Sequence, residues 1–196
     1  MALRAEKRNS AALIGALVLG ACSGAPPAPE WQANAAGGLQ AFQQRYLAGD
    51  TKAADDEFIR ARLELTATGK ADLVARAELL RCAVQVASLA FDRCAGFEAL
   101  RADAGPDERR YADYLEGRVP RTVSDEPLSR LIAYGVQLRA ANITPQGIAA
   151  AVDIASSQGW RRPLLAWLGV QLKRAEAAGD SETAARLKRR MELVSG

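Results

Sequence analysis

Between residues 39 and 196 the chain consists of strong helix formers that are interrupted at short intervals by glycine, proline and aspartate. Within the uninterrupted segments, apolar residues recur three or four positions apart, as Phe58, Ala61 and Leu65 do. This spacing forms one face of an α-helix. No segment of similar length alternates apolar and polar residues in the manner of a β-strand. The sequence therefore predicts an all-α fold of about nine short helices.

Turn and capping signals give the expected helix boundaries. Residues 71–91 form the longest predicted helix, and because two apolar rows run along it we expect it to be the central, most buried one. Residues 117–125, GRVPRTVSD, interrupt the helical pattern and predict either a long loop or a boundary between subdomains. The other predicted helices cover residues 39–48, 53–66, 97–104, 128–141, 145–157, 164–178 and 181–194, together with one that opens at Pro106.

Short connections make successive helices antiparallel neighbours, which fits either an irregular bundle or an array of stacked helix pairs. Two segments bear on this choice, AGDTKAA at residues 48–54 and AGDSETA at residues 178–184. Both resemble the helix-turn-helix core of tetratricopeptide repeats, in which a Gly-Asp turn joins two helices and a small alanine lets them approach. That resemblance implies an array, but the repeat period of about 34 residues is not sustained between the two segments. Both architectures therefore stay open.

The N-terminus has the composition of an export signal. Residues 1–10 carry three basic residues against one acid, and residues 11–21 are apolar and uncharged. The apolar run is shorter than the roughly 20 residues that a membrane-spanning helix needs. It matches the core of a secretory signal, which is about 7–15 residues long. The run ends in LGAC at residues 19–22, which resembles the lipobox of bacterial lipoproteins.

The lipobox resemblance implies a signal peptide at residues 1–21, cleavage before Cys22, and acyl chains such as palmitate on that cysteine. Several acyl chains anchor a protein stably, whereas one chain binds only marginally. Ser23 stands where an aspartate would resemble the inner-membrane retention signal, so the expected location is the periplasmic face of the outer membrane. An ordinary signal peptide with a chance cysteine is the alternative. Residues 22–38, rich in Ala, Pro and Gly, predict a flexible tether, and residues 39–196 the helical domain.

Charge and residue types exclude several functions. The formal net charge of +3 falls to +1 once residues 1–21 are removed, because they hold three basic residues and one acid. The remaining chain lacks the basic excess of nucleic-acid-binding proteins, so we expect no nucleic acid partner. There is no histidine, which removes the commonest general base and the commonest transition-metal ligand. Since no catalytic motif is present either, we expect no metal, no cofactor and no enzymatic activity.

Cys82 and Cys94 are the two cysteines that follow Cys22. An even pair in an oxidising compartment indicates a disulfide bond. On one unbroken helix the pair would lie about 18 Å apart, far beyond the Cα–Cα limit of about 7 Å for such a bond. The bond therefore requires the chain to turn back, which residues 91–96, FDRCAG, allow. Two buried, reduced thiols are the alternative.

Arginine and tryptophan are enriched at protein interfaces, and they cluster near the start of the predicted helix at residues 164–178. The alternative to a binding role is a tryptophan pair in the core beneath an arginine lid. Residues 173–190 are rich in Lys and Arg, which suits anionic lipid or peptidoglycan, or else a solvated surface with cations near helix C-termini. The candidate partner-binding residues are Trp160, Arg161, Arg162 and Trp167.

The first functional hypothesis is a helical adaptor, anchored at the outer membrane through Cys22, that holds a periplasmic or outer-membrane protein. Pilotins, which escort secretins to the outer membrane, are similar in size, anchor and helix content, and some are built of tetratricopeptide repeats. An adaptor of this kind predicts a groove lined by aromatic and arginine residues.

The second hypothesis is a cell-wall enzyme, with an acid such as Glu64, Glu78 or Glu98 as half of a carboxylate pair. Lytic transglycosylases are helical outer-membrane lipoproteins that cut with a single glutamate, but the sequence lacks their Glu-Ser and Gly-Leu-Met-Gln motifs. An enzyme predicts a cleft that holds an acid of raised pKa. A binder of small apolar ligands is the third hypothesis.

Overall fold

The structure, a computed structural model, describes residues 29–196. The predicted signal peptide, the lipobox cysteine Cys22 and residues 22–28 of the predicted tether lie outside this part of the chain. Within it the fold is all-α and contains no β-strand, as the sequence predicts. None of its helices is both long and apolar enough to cross a bilayer. The helices are α1 (Glu30–Ala48), α2 (Thr51–Thr66), α3 (Ala71–Ala87), α4 (Ala95–Glu98), α5 (Pro106–Leu115), α6 (Pro127–Arg139), α7 (Pro145–Ser157), α8 (Arg161–Ala177) and α9 (Ser181–Ser195).

The first helix begins earlier than the sequence predicts. α1 starts at Glu30 instead of residue 39, and so takes in residues 30–38, which their composition had assigned to the tether. That part of the tether prediction is wrong. The helical domain starts at Glu30, and the predicted tether shrinks to residues 22–29.

Small residues near the start of α1 allow close packing against α2. Ala35 is buried, and Asn34 donates a hydrogen bond of 3.2 Å to the carboxylate of Glu64 on α2. Gly38 lies so close to Ala61 that a side chain at this position would force a neighbour to shift. A segment whose composition is typical of a flexible linker therefore forms a helix interface here.

Both Gly-Asp turns join helices that pack against each other, α1 with α2 and α8 with α9. Gly49 has a φ of +97° and Gly179 a φ of +70°, left-handed values that glycine adopts without steric cost. Asp50 and Asp180 then cap the following helices, because each side chain accepts a hydrogen bond from the backbone N–H three residues later. The two segments that resemble tetratricopeptide repeats are thus built alike.

α3 lies at the centre of the fold and packs against α1, α2, α4, α5 and α6. Ten of its 17 residues are buried, as expected for the central helix. The expectation that it is the longest helix is wrong for the described chain, because it ends at Ala87, whereas α1 has 19 residues. Leu89 explains this end, since its φ of +60° cannot continue a right-handed helix.

The chain turns back after Leu89, and the short α4 follows directly on Cys94. Cys82 and Cys94 are joined by a disulfide bond, with their Cα atoms 5.7 Å apart. A continuous helix would hold the same two atoms about 18 Å apart. The early end of α3 therefore makes the bond geometrically possible.

Helices α6 to α9 pack in chain order, each on the next, and α8 also packs against α1. α8 begins at Arg161 instead of residue 164. Pro163 does not break it, because the missing N–H of a proline in the first turn has no partner within a helix anyway. The serial order of α6–α9 is that of an array, whereas the central α3 is typical of a bundle, so the described chain combines both patterns.

Residues 116–126 form the connection between α5 and α6. Buried side chains before and after this segment belong to one hydrophobic core. The segment is therefore a long loop within the fold, which is one of the two alternatives that its sequence left open.

Replacing both Cys82 and Cys94 with alanine should lower the free energy of unfolding by about 3 kcal/mol, because the bond restricts the unfolded chain through the loop between them. Urea unfolding of the double variant and of the wild type, each with and without reductant, measures this difference. Reduction should move the wild type to the midpoint of the variant and leave the variant unchanged. Equal midpoints for oxidised and reduced wild type contradict the prediction.

Candidate functional site

The structure places the two tryptophans of the predicted partner-binding cluster against the core. Trp167 is completely buried, and its indole N–H donates a hydrogen bond of 3.1 Å to the carbonyl of Ala87 at the end of α3. A side chain without exposed surface cannot contact a partner, so the prediction for Trp167 is wrong. Trp160 is half-buried, packs against the same core and directly precedes α8. Both tryptophans therefore pack in or against the core, which is the alternative that the sequence left open for this pair.

Arg161 and Arg162 bind the C-terminus of α1, where the last carbonyls of a helix lack intrahelical partners. Arg162 Nε donates to the carbonyl of Tyr46 at 2.7 Å, and Arg161 Nε donates to that of Ala48 at 3.1 Å. The Arg162 guanidinium also lies 4.3 Å from the centre of the Tyr46 ring and donates to Thr51 Oγ1 at 2.6 Å. These contacts join α8 to the first two helices, which gives both arginines a structural role.

A groove of about 380 Å³ opens between α3, α5, α6 and the loop of residues 116–126. This volume lies within the range of ligand pockets, roughly 300–1,000 Å³. Its floor is apolar and is formed by the buried side chains of Leu79, Ala83 and Ile132. We call it the tyrosine groove, after the two tyrosines in its wall.

The wall of the tyrosine groove combines aromatic rings with a cation. Tyr111 and Tyr114 of α5 stack with their ring centres 5.9 Å apart. Arg121, from the loop, holds its guanidinium 4.7 Å from the centre of the Tyr111 ring, within the range of a cation–π contact. Tyr114 is buried, Tyr111 is half-buried and Arg121 is exposed. The groove therefore offers an apolar floor, aromatic faces and the exposed guanidinium of Arg121.

Both tyrosine hydroxyls are proton donors at neutral pH. Burial raises the pKa of Tyr111 from its ordinary 10.0 to about 12, and this effect exceeds the opposing effect of the nearby Arg121 charge. Burial also raises the pKa of Tyr114. A protonated phenol donates one hydrogen bond and accepts others, so each can bind a carbonyl or carboxylate oxygen.

The acid Glu108 stands at the rim of the tyrosine groove, in the first turn of α5. Its carboxylate accepts a hydrogen bond of 2.7 Å from Arg76 Nε. Its own backbone N–H and the Arg76 side chain lower the pKa of Glu108. A general acid at neutral pH needs a raised pKa, so this carboxylate is suited to holding Arg76 in place.

The three acids considered for catalysis lie outside the tyrosine groove and are engaged elsewhere. Glu78 is buried and accepts from Arg62 Nε at 2.7 Å, while Glu64 accepts from α1 at 3.2 Å. Glu98 pairs with Arg101 at 2.8 Å, which lowers the pKa of Glu98. Glu78 lies on α3, Glu64 on α2 and Glu98 on α4, each with its own partner.

Sequence reasoning missed the tyrosine groove although it identified the parts. The pattern assigns Tyr111 and Tyr114 to a helix that opens at Pro106, and Arg121 to an interruption between helices. Nothing in the helical periodicity indicates that this interruption folds back over the tyrosines. Neither a scan against protein-family models nor searches of curated proteins and of solved structures found a match to this chain, so the chemistry of the groove is argued from its geometry alone.

The Tyr111 phenol should titrate near pH 12 in the folded protein, because burial disfavours its ionised form. Since the folded pKa lies above the ordinary value of 10.0, this group's contribution to stability is complete below pH 10 and is lost as the pH rises towards 12. Ultraviolet absorbance of tyrosinate, measured for the wild type and for Tyr111→Phe, gives the titration of Tyr111 by difference. A difference curve centred near 10 contradicts the burial argument.

Proposed function

We propose that this protein is a lipoprotein of the outer membrane, facing the periplasm, that acts as a helical adaptor for another protein of the cell envelope. The observation that carries the proposal is the tyrosine groove, in which Tyr111, Tyr114 and Arg121 surround an apolar floor. Tyrosine and arginine contribute most to protein binding when they surround a desolvated pocket. An apolar side chain of the partner fills the groove, and the Arg121 guanidinium donates to a carbonyl or carboxylate oxygen beside it.

The surroundings of the tyrosine groove favour a protein partner. Val123 lines the groove from the same loop as Arg121 and is 38% exposed. Apolar surface therefore continues beyond the cavity, which suits a partner that covers the loop as well as filling the groove. The loop itself is irregular, and irregular surface segments carry binding residues more often than helices do.

The proposed anchor and compartment are supported by two features. LGAC at residues 19–22 resembles a lipobox, and the Cys82–Cys94 disulfide suits an oxidising compartment such as the periplasm. α1 begins at Glu30, so the chain between Cys22 and the first helix spans at most about 28 Å even when fully extended. Such a short connection keeps the adaptor at the membrane surface, next to partners that are embedded in it. A pilotin-like role, in which the adaptor accompanies an outer-membrane protein, fits this arrangement.

A small apolar molecule is the second candidate occupant of the tyrosine groove. The observation in its favour is the apolar floor formed by the buried side chains of Leu79, Ala83 and Ile132. Mature protein purified from membranes would then carry a bound molecule, which native mass spectrometry detects.

Cys22→Ala should shift the protein from the outer-membrane fraction to the soluble periplasmic fraction, because it removes the proposed site of acylation. Membrane fractionation and mass spectrometry of the N-terminal peptide measure the shift and the added lipid mass. Ser23→Ala is the matched control and should stay in the outer membrane with its lipid. An unmodified Cys22 in the wild type contradicts the proposed lipid anchor.

Arg121→Ala should reduce recovery of the partner about 10-fold, because it removes the loop cation that lies against Tyr111 in the tyrosine groove. The measurement is a crosslinking pulldown from membranes with the native, lipidated protein. Arg110→Ala, which removes an exposed cation of α5 that does not line the groove, is the matched control and should retain the partner. If both variants retain a single partner equally, the tyrosine groove is not its binding site. No partner, together with a groove-bound small molecule, favours the second candidate.

A further inference from the structure

A second groove, of about 840 Å³, runs along α8 and α9 and reaches the start of α7. Its floor is formed by the buried apolar side chains of Ile148, Ala175 and Leu187, one from each of the three helices. It shares no lining residue with the tyrosine groove. We call it the arginine groove.

The walls of the arginine groove are positively charged. Three arginines line it, Arg174 from α8 with Arg186 and Arg190 from α9. The one acid among its lining residues is Asp180, whose carboxylate accepts a hydrogen bond of 2.9 Å from the Thr183 N–H. That bond lowers the pKa of Asp180, so the carboxylate stays ionised while it caps α9. One helix-capping acid leaves most of the positive charge of the three arginines uncompensated.

The arginines of this groove have weak partners within the described residues. Arg186 donates to Thr183 Oγ1 at 3.0 Å and lies 3.8 Å from Glu182, both on its own exposed helix surface. Arg190 donates to a neutral hydroxyl, Ser156 Oγ, at 3.3 Å. Exposed contacts of this kind contribute little to stability. The guanidinium groups can therefore turn to a stronger acceptor at little cost.

We infer that the arginine groove binds an acidic amphipathic helix of a protein partner. The apolar face of that helix packs on Ile148, Ala175 and Leu187, and its carboxylates pair with Arg174 and Arg186. Helices that enter grooves use this combination of an apolar face and charged flanks. A bilayer surface is flat and does not reach the floor of a concave groove between helices, which favours an inserted segment over lipid. This inference requires neither the lipid anchor nor the tyrosine groove.

The test uses the full-length chain in detergent and two synthetic helical peptides, one with leucines on one face and glutamates on the flanks, and the other with each glutamate replaced by glutamine. Fluorescence anisotropy should show binding of the glutamate peptide, with an affinity that falls as ionic strength rises. The glutamine peptide should bind at least about 10-fold more weakly, because it cannot form ion pairs.

A matched pair of double variants assigns the binding to the groove. Arg174→Gln with Arg186→Gln should weaken binding of the glutamate peptide about 10-fold. Lys173→Gln with Arg189→Gln removes the same charge from exposed positions of α8 and α9 outside the groove and should leave binding unchanged. Equal loss in both double variants, or equal binding of the two peptides, overturns the inference. So does flotation on phosphatidylglycerol vesicles that depends on Arg174 and Arg186 when neither peptide binds.

Discussion

The burial of the Trp167 indole is the interaction on which most of this fold depends. Trp167 lies on α8 and donates its N–H to the carbonyl of Ala87, the last residue of the central helix α3. The ring fills space in the core, and the hydrogen bond satisfies a carbonyl that has no partner within its own helix. One side chain thus fills space in the core and supplies the C-terminal carbonyl of α3 with a partner, which is why a residue so typical of interfaces is not available for one.

Arg162 extends the same connection to the N-terminal helices. Its contacts with Tyr46 and Thr51 hold α8 against the turn between α1 and α2. A helix from the C-terminal third of the chain therefore contacts the ends of two helices from the first half. The serial stacking of α6–α9 alone would not produce this closure, and the long-range contacts of α8 make the fold more compact than an open array.

Much of the fold could be predicted from local signals, because local interactions produce it. The Gly49-Asp50 and Gly179-Asp180 turns end one helix and cap the next through contacts within a few residues, and both were predicted correctly. Residues 30–38 were predicted wrongly because their helical state depends on packing against α2, which no local pattern reports. The same limit applies to the sites. The sequence identified Trp160, Arg161, Arg162 and Trp167 by residue type, but exposure decides binding. The tyrosine groove exists only because a loop folds back beside α5.

The Cys82–Cys94 disulfide, which the early end of α3 makes possible, has a consequence for how the chain matures. The full sequence contains three cysteines, and acylation of Cys22, as proposed, would remove one of the thiols from redox chemistry. Cys82 and Cys94 would then have only each other to pair with, so that the protein has one possible connectivity. Formation of this disulfide would require an electron acceptor, but it would not require an isomerase. Once Cys22 is acylated, the exported chain would be unable to form a wrong disulfide within itself, whichever segment folds first.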